Sequence, residues 1–191
     1  WCDQLPAVFP EWSDDLELLN RSRRVVTAMM SGMILNRDIW NDAGMEQTLL
    51  QFLADTRPES GLVPAGGMAR YRLQQWLNFI ATELHKAVFI PLLDPKAGDD
   101  ARAYARAKAK RPLDRLQAHL AGRDFLLDGF TVADAYLLVV LNWTRATAID
   151  LAAWPAIASY YQALLQRPAV ARAVAEEFAL YKEEQARRKA A

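Results

Sequence analysis

Residues 70–93 have the pattern of one long amphipathic helix, which requires a fold rich in helices around an apolar core. Apolar residues recur at the spacing of a single helical face, whereas the opposite face is polar. The apolar face comprises Tyr71, Leu73, Trp76, Leu77, Phe79, Ile80 and Leu84. His85 and Lys86 project from this stripe near its end. This polar pair at the end of an apolar stripe is the first candidate for a functional role.

The rest of the chain strengthens the prediction of an all-α fold. A loop rich in proline and glycine spans residues 57–67, and it is the best candidate for a linker. Helical patterns follow at roughly 68–93, 99–120, 131–147, 154–166 and 168–186. Thr131 and Asp134 stand three residues apart before an apolar run, the spacing of a helix capping box. These patterns predict a helical bundle with the Thr131 helix at its centre.

Composition narrows the class of protein. The 191 residues include 52% hydrophobic residues, and 23 basic residues balance 23 acidic ones. A formal charge of zero argues against a nucleic-acid partner, since such proteins are usually basic. The chain has no apolar run of about 20 residues, so we expect no membrane partner. Its single cysteine, Cys2, fits a reducing cytoplasm. Two histidines and one distant cysteine predict no metal site.

Several motifs, in order and at matching spacing, resemble the bacterial beta-class glutathione S-transferase family. They lie at residues 52–58, 82–86, 126–136, 154–161 and 167–170, so the resemblance covers about residues 49–180. It implies the helical C-terminal domain of that family. The predicted organisation is an atypical N-terminal segment at 1–57, a linker at 58–67 and the helical domain at 68–191.

Upstream of residue 44 the resemblance ends. The family's thioredoxin-like domain needs roughly eighty residues, and the sequence here contains neither a strand followed by a catalytic Cys, Ser or Tyr nor a Val-Pro pair. Met45 and Glu46 stand where the family has a glutathione-holding Glu-Ser pair. Cys2 follows only one residue and does not match the catalytic cysteine. The segment is a replacement for that domain, a degenerate form of it or a misjoined sequence, and its residues do not distinguish these three. We expect it to be mainly helical and to cover apolar surface of the bundle.

The resemblance implies a site on the C-terminal side. His85 corresponds to a histidine that faces glutathione, and it is the candidate catalytic residue. Lys86, Asn78 and Trp143 correspond to residues around glutathione and its cleft. Three of these four residues also have a simpler interpretation. His85 is then a cation near a helix C-terminus, Lys86 a solvated lysine and Trp143 a core residue.

Two functions therefore stand open. The first is a glutathione S-transferase-like enzyme that conjugates glutathione, its co-substrate, to a small apolar electrophile. The second is a non-catalytic binding or dimerisation module on the same fold, because no sulfur-activating residue is recognisable. Family resemblance also makes a homodimer an expected assembly.

Overall fold

The computed structural model of the chain describes residues 60–190, which are entirely helical apart from turns and loops. No strand occurs in this range, so the all-α prediction is confirmed for it. The elements in chain order are α1 (Gly67–Phe79), the π-helix π1 (Ile80–Phe89), α2 (Ile90–Leu93), α3 (Asp99–Leu120), α4 (Val132–Asn142), two 3-10 segments (Trp143–Ala146 and Leu151–Ala153), α5 (Pro155–Leu165) and α6 (Pro168–Ala190). The helical N-terminal segment predicted for residues 1–57 lies outside the described residues.

The long helix predicted for residues 70–93 is continuous, but its middle is wound as a π-helix. The N–H of Ile90 donates to the carbonyl of His85, five residues earlier. Pro91 supplies a physical reason for the wider turn. It has no N–H to offer the carbonyl of Ala87, and its ring would crowd that carbonyl in an α-helix.

The core is built around α4. Nine of its 11 residues are buried, so this helix is enclosed on nearly all sides. It contacts α1, π1 and α5, while α3 packs on π1 and α5. The start of α5 is held by α3, because the side-chain oxygen of Gln117 accepts from the N–H of Ala156 at 2.9 Å. This packing places π1 against the central helix.

Helix α3 continues through Pro112, which neither begins nor ends an element. A proline inside a helix is expected to kink or interrupt it, because it lacks an N–H and its ring crowds the preceding turn. The prediction of an interruption at Pro112 is wrong, since α3 is continuous there. Instead the helix stops at Leu120, and the next turn needs a left-handed residue. Gly122 takes that conformation, with φ +73°, which side chains other than glycine rarely adopt.

By their contacts, residues 60–168 belong to one compact unit and residues 169–190 to another. Within the second unit, the Lys182 ammonium lies 4.4 Å from the centre of the Phe178 ring. Between residues 60 and 190, none of the helices combines the length and apolarity needed to cross a bilayer. The predicted domain boundaries stay a prediction.

Candidate functional site

His85 lies in π1 and is almost completely buried, with 1% of its surface exposed. Its side chain faces α4, whereas Glu83 and Lys86 on the same helix are exposed. Short π-helical segments are frequent at functional sites. A histidine in such a segment, buried against the central helix, differs from the solvated cation that a helix C-terminus would favour.

A short hydrogen bond fixes the imidazole. The Nδ1 atom of His85 lies 2.6 Å from the hydroxyl of Tyr136, which comes from α4 and is itself fully buried. Burial, and then the positive charge of Lys86, lowers the pKa of His85 from 6.5 to about 4. The imidazole is therefore neutral at pH 7, with one ring nitrogen as donor and the other as acceptor.

Trp143 completes a buried ring cluster, which we define as His85, Tyr136 and Trp143. The indole lies 4.8 Å from the imidazole between ring centres, at an interplanar angle of 73°. It also contacts Phe89 edge-on, at 5.9 Å. The edge-to-face geometry is the favoured arrangement for aromatic pairs and restricts rotation of the imidazole. Trp143 is thus both a core residue and a neighbour of the candidate catalytic histidine.

The structure brings together only two of the four predicted site residues. Lys86 and Asn78 are exposed, whereas His85 and Trp143 are buried in the ring cluster. Lys86 acts on His85 through its charge. The backbone carbonyl of Asn78 accepts a hydrogen bond from the Thr82 hydroxyl at 2.8 Å, which links successive turns of the helix.

Tyr136 is the residue that sequence reasoning missed as part of the site. It is separated from His85 by 51 residues, so no local pattern joins them. A signal was nonetheless present. Tyr136 and Asp134 are the only side chains with a polar group between Val132 and Leu141, and buried polar groups require partners.

Asp134 uses its buried carboxylate to fix the start of α4. It accepts from the N–H and the hydroxyl of Thr131, at 2.8 and 2.9 Å. The same carboxylate accepts from the N–H of Leu126 and the hydroxyl of Tyr160, each at 2.8 Å. Burial and the nearby carboxylate raise the pKa of Tyr160 well above 10. These contacts hold α4, and with it Tyr136, in place against π1.

The second histidine of the chain, His119, lies away from the ring cluster. His119 is half-buried on α3, and its Nε2–H donates to the carbonyl of Leu126 at 2.9 Å. Cys2, Met45 and Glu46 fall outside the described residues.

The helical domain is similar to a domain of known proteins. Residues 79–168 match the family described as the C-terminal domain of glutathione S-transferase. The glutathione S-transferase GstA of Escherichia coli O157:H7 is 36% identical over 131 residues, covering 68% of this chain and 65% of that relative. The chain therefore spans slightly less than two thirds of the length of this relative.

Two solved structures extend the similarity to three dimensions. A sphingomonad glutathione S-transferase, solved in complex with glutathione, is 44% identical with a TM-score of 0.65. The match covers 69% of this chain and 66% of that one. The bacterial beta class enzyme of Sphingomonas chungbukensis is 36% identical with a TM-score of 0.64, over the same shares of the two chains.

Proposed function

The chain belongs to the glutathione S-transferase family, and its residues 79–168 match the C-terminal domain of that family. We therefore propose that the protein binds glutathione and conjugates it to small apolar electrophiles. The reaction adds the glutathione sulfur to an electrophilic carbon. It requires a thiol with a lowered pKa and a substrate held close to the sulfur. The relative solved with glutathione supports glutathione as the co-substrate.

The observation that carries this proposal is the neutral, hydrogen-bonded imidazole of His85. When Tyr136 donates to Nδ1, the ring proton resides on Nε2, which then is a donor. Because His85 is 1% exposed, the proposal requires the glutathione sulfur to pack directly against this nitrogen. A donor in that contact stabilises the thiolate more than the thiol and so lowers the thiol pKa. A neutral imidazole does this without competing for the thiol proton. We assign His85 the catalytic role on this basis.

The other predicted residues have binding roles in this proposal. Lys86 is exposed and one residue from His85, so its ammonium is suited to a glutathione carboxylate. Asn78 lies about two turns earlier on the same long helix and offers an amide to the peptide backbone. Trp143 gives an apolar wall beside the imidazole for an electrophile.

Replacement of His85 by Leu, which has no donor, tests the assignment. A hydrogen bond to a charged group is worth about 1.5–3 kcal/mol, so its loss raises the pKa of the bound thiol by about one to two units. The ultraviolet absorbance of the thiolate reports this pKa in the glutathione complex, and a chlorodinitrobenzene-type electrophile reports turnover. His119→Leu, the same change away from the ring cluster, is the matched control. An unchanged thiol pKa in H85L refutes the role of His85.

The alternative is a non-catalytic binding or dimerisation module. It is favoured by the absence, from the sequence of residues 1–57, of a recognisable sulfur-activating motif. Glutathione retention and sedimentation of the full chain separate the two functions. A stable homodimer that neither turns over the electrophile nor is retained on immobilised glutathione supports the module. Measurable turnover refutes it. With either function we propose that the protein forms a homodimer. We also propose a cytoplasmic location, because a reducing compartment suits a chain with a single cysteine.

A further inference from the structure

The loop between α3 and α4 contains an aspartate that is followed directly by a glycine, Asp128 and Gly129. Asp128 is exposed, and neither residue belongs to a helix. Among the residues that the structure describes, none forms a hydrogen bond or an ion pair with the Asp128 carboxylate or with the N–H of Gly129. The carboxyl group and the neighbouring backbone nitrogen are therefore available to react with each other.

These two groups are at the spacing that closes a five-membered ring within the chain. The nitrogen of Gly129 attacks Cγ of Asp128, so an N–Cγ bond forms and the carboxyl OH leaves as water with the amide proton. Water then opens the resulting succinimide. When it adds to the backbone carbonyl carbon of Asp128, the bond from that carbon to the Gly129 nitrogen breaks, and the chain continues through Cβ and Cγ as isoaspartate. One water is lost and one is regained, so the conversion needs no co-reactant.

Glycine is the residue that hinders this ring closure least, because it has no Cβ beside the attacking nitrogen. The protein leaves the space around Gly129 open as well. A Cβ placed there would have no atom within 4 Å apart from its chain neighbours. Asp124 is exposed in the same loop, but the residue after it is Phe125, whose ring packs on Phe130 with centres 6.1 Å apart. Reaction is therefore favoured at Asp128 and not at Asp124.

The loop around this pair is anchored at both ends to one buried carboxylate. Asp134 accepts from the N–H of Leu126 and from the N–H of Thr131, each at 2.8 Å. Isoaspartate adds one carbon to the backbone between these anchors, about 1.5 Å of extra chain. Because the same carboxylate caps α4, a loop of altered length acts directly on the start of the central helix.

We propose that Asp128 and Gly129 form a site of spontaneous backbone isomerisation, at which aspartate becomes isoaspartate and loosens the anchor of α4. The longer loop displaces one of the two N–H donors from the Asp134 carboxylate. The modification needs no enzyme, so it accumulates with the age of the folded protein. It does not depend on glutathione or on any catalytic activity of the chain.

Incubation of the full chain at neutral pH and physiological temperature tests the proposal. Peptide mapping by mass spectrometry, with an isoaspartate methyltransferase as the probe, is expected to find isoaspartate at residue 128 and none at Asp124. Gly129→Ala, which the open space tolerates, should slow the conversion about tenfold. Asp128→Glu should abolish it, because a six-membered ring closes far more slowly.

The effect on α4 is measured on the same samples. The isomerised protein should unfold about 2–4 °C below the fresh protein, the shift expected for loss of one cap hydrogen bond in a chain of this size. D128E incubated for the same time should unfold as it did at the start. The proposal is overturned if the folded chain forms no isoaspartate at residue 128 under conditions in which the chain unfolded in urea does. Equal conversion at Asp124, or an unchanged unfolding midpoint in the isomerised protein, would also overturn it.

Discussion

Replacement of Asp134 by Ala should destabilise the protein far more than loss of a solvent-exposed helix cap. Asp134 is fully buried and accepts four hydrogen bonds, from Leu126, Thr131 (twice) and Tyr160. The two hydroxyl donors can rotate towards other acceptors, but the two backbone N–H groups are fixed. The variant therefore leaves at least two buried N–H groups without an acceptor.

The magnitude follows from these donors. An unsatisfied buried donor costs about 1–3 kcal/mol, and each lost hydroxyl bond adds about 1 kcal/mol. Since such contributions are not additive, we expect a loss of roughly 4 kcal/mol in the free energy of unfolding. For a chain of this size the midpoint of thermal unfolding should fall by about 8–16 °C.

Urea unfolding followed by circular dichroism measures this loss. Asp124→Ala removes an exposed aspartate from the loop that precedes α4 and should change the unfolding free energy by less than about 0.5 kcal/mol. Tyr160→Phe removes one of the four donors together with its need for an acceptor, and it should cost about 1 kcal/mol. A cost below about 1 kcal/mol for D134A, the value of an ordinary cap, would refute the reasoning.

Two further predictions concern His85. Its folded-state pKa, about 4, lies below the unfolded value of 6.5, so the unfolded state binds the proton first and stability falls as pH decreases between these values. The loss is about 3 kcal/mol, at 1.36 kcal/mol per pKa unit. Urea unfolding from pH 7 to pH 4 should show a smaller loss in H85Q than in the wild-type protein, and equal losses would contradict the assignment. Tyr136→Phe should cost about 1 kcal/mol and change the tautomer populations of His85, measured by imidazole nitrogen NMR. Unchanged populations would show that the 2.6 Å contact does not select the tautomer.

The sequence predicted what is local and missed what is not. The helix boundaries near Trp154 and Pro168 follow from neighbouring residues, and the structure has them close to where the pattern placed them. Thr131 and Asp134 are three residues apart, so their contact could be predicted from the sequence. The additional bonds from Leu126 and Tyr160 to the same carboxylate depend on tertiary packing, and no spacing rule reports them.

The site follows the same division. The amphipathic stripe located His85 on a helix, but a period of 3.6 residues does not distinguish α from π winding over ten residues. Burial of the imidazole and its bond to Tyr136 depend on how α4 meets π1. A cavity of about 600 Å³ is lined by Arg72, Arg115 and Arg123, which come from two helices and a loop. A formal charge of zero for the whole chain does not reveal this local positive charge.

The π-winding of residues 80–89 has a consequence for how the length of this chain can change. A π-turn closes over five residues where an α-turn closes over four, so the segment holds surplus residues without extruding a loop. Deleting one residue there would let the backbone return to α winding with the helix unbroken. The residues after the segment would keep nearly the same orientation relative to α1, because the deleted residue is the surplus one of a wide turn. The helix would survive such a deletion, whereas the packing of His85 against α4, which lies inside the π-winding, would change.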